Sequence, residues 1–243
     1  MTSVARRALV TGGSGVIGAA ICRRLALAGH FVYVQAHRGI AAAEALVAEI
    51  SAAGATAQAL VFDVTDGAAT RAALETALQG GAIQILVNNA GIHDDAAFPG
   101  MNEKQWRRVI DVSVNGFYNV TQPLMLPMIR TRWGRVVSIS SVAALMGNRG
   151  QVNYAAAKGA LNSATRALAL EVATRGITVN AVAPGIIDTG AGGHMFDAET
   201  LARLVPMKRA GVPTEVAGLV AFLVSDEAAY MTAQVISING GMT

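Results

Sequence analysis

A short apolar run, Ala8-Leu9-Val10-Thr11, leads directly into Gly12-Gly13-Ser14-Gly15-Val16-Ile17-Gly18. A helical stretch over residues 19–28 follows and stops at Gly29. Few folds accommodate that order. The apolar run reads as a buried strand, the glycines as a tight turn, and Gly29 as the helix stop. Glycines let a pyrophosphate approach the backbone, and the first turn of the following helix offers it unpaired N–H groups. The expectation is a dinucleotide site at Gly12, Ser14, Gly15, Val16, Ile17 and Gly18.

The rest of the chain keeps the same rhythm. Apolar runs at residues 31–36, 57–62, 83–87, 135–140, 177–183 and 234–238 read as further strands. Helical stretches separate them, at residues 41–53, 68–78, from Asn102 to Ile129, from the Tyr154 region to Gly176, and at 213–223. Such alternation predicts a single doubly wound α/β domain over residues 1–243. It should hold about seven parallel strands, with the working residues at their C-terminal ends.

Composition narrows the functional classes. The chain has 243 residues, of which 53% are hydrophobic, enough for one core. Only 14% are charged, so part of the surface is apolar and invites self-association as a dimer or tetramer. A net charge of +3 without a basic run argues against nucleic acid. Cys22, the one cysteine, rules out an intrachain disulfide and reads as a buried structural thiol. His30, His37, His93 and His194 lack metal-ligand spacing, so no metal is expected. The uncharged run at residues 112–129 carries two prolines, two asparagines and a glutamine, unlike a membrane span. The N-terminus runs straight into a strand, so no signal peptide and a cytoplasmic location are expected.

The reactive groups lie further along. Tyr154 and Lys158 stand four residues apart on one helix, so their side chains share a face. An ammonium beside a phenol is expected to lower the phenol's pKa and fit it for proton exchange with a substrate oxygen. Ser141, thirteen residues before Tyr154 at the end of a strand, can polarise the same oxygen. Taken alone, Tyr-x-x-x-Lys is weak evidence and far more often describes a surface pair. The serine and the glycine turn give it weight. Asn88-Asn89-Ala90-Gly91 closes another strand and, as bare residues, reads as a turn.

Together these residues resemble the short-chain dehydrogenase/reductase family, from about Arg7 to the C-terminus. The resemblance implies that Lys158 tunes Tyr154 and binds the nicotinamide ribose. It implies that Asn89, Ala90 and Gly91 leave room for the cofactor, and that Asp63 and Val64 face its adenine. As a bare residue, Asp63 could instead cap the helix beginning near Asp66. Pro184, Gly185 and Ile187 would line the nicotinamide, and residues 188–207, with Gly190, Gly192 and Gly193, would form a substrate lid. NAD-dependent relatives carry an acidic residue near position 36, whereas here Ala36 precedes His37 and Arg38. A guanidinium attracts a 2′-phosphate that a carboxylate would repel, so NADPH is expected.

Departures from the family pattern are also visible. Position 16 is Val16 where short members have glycine, and Gly15 stands where NADPH-dependent relatives are often basic. Ser113 occupies the place of an Asn that kinks its helix and serves a proton relay. It is expected to hold the kink through its hydroxyl and to join the catalytic set. Within the family, the stretch from Met146 to Tyr154, Arg175-Gly176-Ile177-Thr178-Val179-Asn180 and Pro206-Met207-Lys208-Arg209 resemble reductases of 3-oxoacyl chains on acyl carrier protein. The segment from Gln234 to Met242 is similar to the subset in aryl-polyene or xanthomonadin-type pigment pathways. Arg132 and Arg175 match basic positions that would dock the acidic carrier. Two alternatives stand beside this reading: a dehydrogenase of a free alcohol, sugar or steroid, and a weakly catalytic cofactor-binding subunit of a hetero-oligomer.

Overall fold

A computed structural model describes residues 5–190 and 197–243. The β–α alternation becomes one seven-stranded sheet in the order β3-β2-β1-β4-β5-β6-β7, with every pairing parallel. The strands are β1 (Arg7–Val10), β2 (Phe31–Ala36), β3 (Ala57–Val61), β4 (Ile85–Asn88), β5 (Gly134–Ile139), β6 (Ile177–Pro184) and β7 (Val235–Ile238).

Register makes the two faces legible. Tyr33, Leu9, Leu86, Val136 and Val179 are successive partners across five strands and face one side. One residue on, Val34, Val10, Val87 and Val137 face the other, as the two-residue period of a strand requires. Each face is covered by helices. Helices α1 (Val16–Leu27), α2 (Ile40–Ala52) and α9 (Pro213–Val224) cover the valine row. Helices α3 (Gly67–Leu78), α5 (Gly116–Thr131) and α7 (Val152–Val172) cover the other. Central strands buried on both faces have to be apolar throughout, and β5 and β6 are buried at every position.

Helix α1 starts at Val16, three residues earlier than the sequence pattern suggests. The turn needs only Gly12, at φ 60°, to reverse the chain, and Gly15 already acts as the N-cap residue. Helix α4 (Glu103–Ile110) opens with a capping box between Asn102 and Gln105. A π-helical turn, Asp111–Asn115, then joins it to α5, which contains Pro123 and Pro127. The π-turn stands where a kink is expected, but the hydroxyl of Ser113 does not hold it: that buried oxygen has no hydrogen-bond partner. A π-turn is itself a source of helix bending. Helix α6 (Ala143–Met146) is a single turn after Ser141, and α8 (Ala198–Leu204) lies within the expected lid. Gly192, Gly193 and His194 of that segment lie outside the described residues. Among the described residues no helix is long and apolar enough to cross a membrane, and no cluster of side chains could hold a metal ion.

Candidate active site

Strand order reverses at β1, whose neighbours β2 and β4 carry the chain in opposite directions. A crevice forms at such a point beyond the C-terminal strand ends. Here it is a cleft of about 720 Å³ lined by residues of the glycine turn, Asn89 to Gly91, Ser141, Tyr154, Lys158 and residues 184–187.

The glycine turn is pinned to β4 from both sides. Asn89 donates from Nδ2 to the carbonyls of Thr11 and Gly12 at 2.9 and 3.1 Å. The Thr11 hydroxyl accepts from the backbone N–H groups of Asn89 and Ala90, both at 3.0 Å. Asn88 reaches the other way and donates to the Thr121 hydroxyl on α5 at 3.0 Å. A third anchor comes from Gln35, which the sequence pattern does not single out. Its side chain accepts from Gly12 N at 2.8 Å and donates to the Phe62 carbonyl at 2.6 Å, tying the turn to β2 and β3. Its only sequence signal is a polar residue inside a buried strand.

This turn fits a dinucleotide. A Cβ on Gly18 would lie 2.2 Å from the Gly12 carbonyl oxygen, so the tight approach of turn to helix requires glycine there. Helix α1 has no side-chain cap and no acidic residue in its first turn, which leaves its N-terminus to an anionic group. Val16 is 44% exposed and lines the cleft, so the change from glycine leaves the space open.

Other expected cofactor residues sit at the edge. His37 and Arg38 are exposed just after β2, and a Cβ on the following Gly39 would meet the Ser14 hydroxyl at 3.0 Å. Asp63 does not cap α3; Asp66 does. Instead Asp63 accepts from the backbone and hydroxyl of Thr65 and lies 3.5 Å from His37 Nδ1. Burial pushes its carboxyl up, but the Thr65 hydrogen bonds with the charges of His37 and Arg38 leave it below the usual range. The Val64 side chain is buried in the core, and its carbonyl accepts from Asn119. Pro184, Gly185 and Ile187 all line the cleft, and backbone bonds from Asp188 N and Gly211 N secure the segment.

Helix α7 brings Tyr154 and Lys158 into the cleft together, as their spacing requires. Both are buried, at 9% and 3% exposure. Burial pushes the Tyr154 phenol up; its hydrogen bond with Ser141 opposes this, and Asp95 adds to it. That corrects the expectation of a phenol lowered by Lys158. The ammonium lies 5.7 Å from the ring centroid and donates to the Ile139 carbonyl at 2.8 Å. Burial lowers Lys158 itself to about 8. The Ser141 hydroxyl accepts from Ala143 N at 3.1 Å, leaving its own proton for another acceptor. Ser113 is not among the residues lining the cleft; its π-turn abuts α7 from outside.

His93 is a feature the sequence pattern does not single out. It lines the cleft and stacks on Tyr154, and its position two residues beyond Asn-Asn-Ala-Gly is the available signal.

Comparison with known proteins places the whole chain in a family. The family model described as short chain dehydrogenase matches residues 6–200. The chain is 44% identical over 236 residues to a 3-oxoacyl-[acyl-carrier-protein] reductase of Aggregatibacter actinomycetemcomitans, covering 96% of this chain and 98% of that one. It is 41% identical over 240 residues to the same-named protein of Synechocystis, covering 98% and 97%. It is also 40% identical over 239 residues to nodulation protein G of a Rhizobium strain, covering 98% and 96%. The glycine turn pinned by Asn89 and the Tyr154–Lys158 helix thus sit in a chain that belongs to the short chain dehydrogenase family.

Proposed function

We propose that the protein reduces the 3-oxo group of an acyl thioester on acyl carrier protein, with NADPH as the reductant. The observation that carries this reading is the convergence of Ser141, Tyr154 and Lys158 on one cleft with the glycine cradle. The full-length relatives named 3-oxoacyl-[acyl-carrier-protein] reductase support the substrate class.

The cofactor, when bound, supplies hydride to the carbonyl carbon. The residues of this chain handle the oxygen and its proton. Ser141 donates a hydrogen bond to the carbonyl oxygen. The buried Tyr154 phenol keeps its proton at neutral pH and gives it to that oxygen as negative charge develops there. Lys158 supplies positive charge beside the phenolate left behind, which then regains a proton from solvent. Ketone, hydride and one proton give the alcohol. Ser113, outside the cleft lining, would act only on the proton's return path.

NADPH is supported by the pairing of His37 with Asp63, which leaves the Arg38 guanidinium without a close ion pair among the described residues. Carrier docking at Arg132 and Arg175 meets a geometric condition. Both precede the first residues of β5 and β6, so they lie at the opposite end of the sheet from the cleft. Docking there would serve the cleft of another copy. Self-association is supported by apolar side chains exposed on α5 and α7, Tyr118, Leu126 and Leu170.

The test is loss of the reduced-nicotinamide absorbance with an acetoacetyl thioester, comparing NADPH with NADH. Turnover with NADPH that Tyr154→Phe abolishes supports the reading. Turnover only of free alcohols with NAD, or cofactor binding without turnover of any carbonyl, would overturn it.

A further inference from the structure

We infer that His93 is a positioning residue for Tyr154, holding the phenol by ring stacking. The inference rests on the reading of Tyr154 as the proton donor. The imidazole and phenol centroids lie 4.1 Å apart with 28° between the planes. Stacking at this distance restricts rotation of the phenol about its long axis and its tilt. Tyr154 also packs with Val109, Ala143 and Ala157, but among the described residues His93 is the one aromatic ring stacked on it, and the Ser141 hydroxyl contacts only the phenol's outer end.

The stack is enforced by the backbone on both sides. His93 lies in the loop between β4 and α4, and that loop is joined to the start of α7 at several points. Ala96 N donates to the Gly150 carbonyl at 2.9 Å. Asn153, next to Tyr154 in the chain and fully buried, donates to the Asp94 carbonyl at 2.9 Å. Gln151 donates to Asp95 at 2.7 Å and lies 3.4 Å from His93 Nδ1. Gln151 Nε2 and the Asp95 carboxylate, 3.4 and 3.9 Å away, both face the imidazole at the same atom, Nδ1. Burial and the Lys158 charge lower its pKa against the pull of Asp95, so it stacks as the neutral ring at neutral pH.

A flat ring, rather than imidazole chemistry, is what this role requires. His93→Ala should lower kcat by about tenfold, a loss in the range that small misplacement of a reacting group produces. KM for the cofactor should stay unchanged. His93→Phe should recover most of the lost kcat. An alanine variant as fast as wild type, or a phenylalanine variant as slow as alanine, overturns the inference. A second measurement needs no turnover. In the cofactor-free protein, the His93 ring-proton NMR signals, assigned by their loss in His93→Phe, should move strongly in Tyr154→Leu. Signals that stay in place would overturn the stack. If wild type reduces no acyl thioester, the reductase reading fails while the NMR result still decides whether His93 stacks on Tyr154.

Discussion

Lys158 donates its Nζ proton to the carbonyl oxygen of Ile139 at 2.8 Å, across the junction of α7 and β5. One bond thus fixes the helix bearing Tyr154 against the strand leading to Ser141. The ammonium is buried and its pKa falls from 10.5 to about 8. Below pH 8 both folded and unfolded chains are protonated there, and the full cost of burying the charge is felt. Between pH 8 and 10.5 the unfolded chain holds more protons, so this residue's contribution to stability rises with pH. Between pH 7.5 and 9.5, wild type should gain about 2 kcal/mol relative to Lys158→Met. Urea unfolding of both proteins at the two pH values checks this; parallel pH dependences would count against it.

Cys22 runs in the opposite sense. It is fully buried beneath the glycine turn, and burial raises its thiol to about 12. The folded protein keeps this proton while the unfolded chain loses it above its ordinary value of 9.0. The contribution of this group to stability is fully present below pH 9 and is lost as pH rises from 9 towards 12. From pH 8 to 10.5, wild type should lose about 2 kcal/mol relative to Cys22→Ala. A thiol reagent at pH 8 should leave the native protein unlabelled and label it fully in denaturant. Prompt native labelling would contradict the burial.

Much of this architecture can be read from local pattern, and the failures have a common origin. Leu9, Leu86, Val136 and Val179 announce themselves because doubly covered parallel strands must be apolar, and they do form one row. Tyr154 and Lys158 are legible because helical spacing alone puts them on one face. His93 and Gln35 are not, because their partners are 61 residues away at Tyr154 and 23 away at Gly12. The direction of the Tyr154 shift escapes the sequence for a related reason. Spacing names the neighbouring ammonium, but burial and the Lys158–Ile139 bond are tertiary facts.

Glycine positions with and without a neighbour make a paired test. A methyl on Gly18 would meet the Gly12 carbonyl oxygen at 2.2 Å and Asn89 Nδ2 at 2.9 Å. Neither the turn nor its anchor can move without reshaping the cradle. Gly18→Ala should weaken dinucleotide binding at least about tenfold, measured by calorimetry. A methyl on Gly218 in α9 would have nothing within 4 Å. Gly218→Ala should leave binding unchanged and stabilise the fold by about 1 kcal/mol. Equal binding by both variants would remove the argument for a glycine-dependent cradle.

Ser113 separates the π-turn of a helix from the side chain placed in it. Its hydroxyl is buried in the π-turn without a hydrogen-bond partner, and the turn forms nonetheless. An unpaired buried hydroxyl adds a desolvation cost with no compensating bond. Ser113→Ala should therefore hold or raise stability by up to about 1 kcal/mol, read from the urea midpoint. If the same variant retains kcat, the hydroxyl has no part in returning the proton to Tyr154, and the turn serves by its backbone alone. A tenfold fall in kcat at unchanged stability would instead restore Ser113 to the catalytic set.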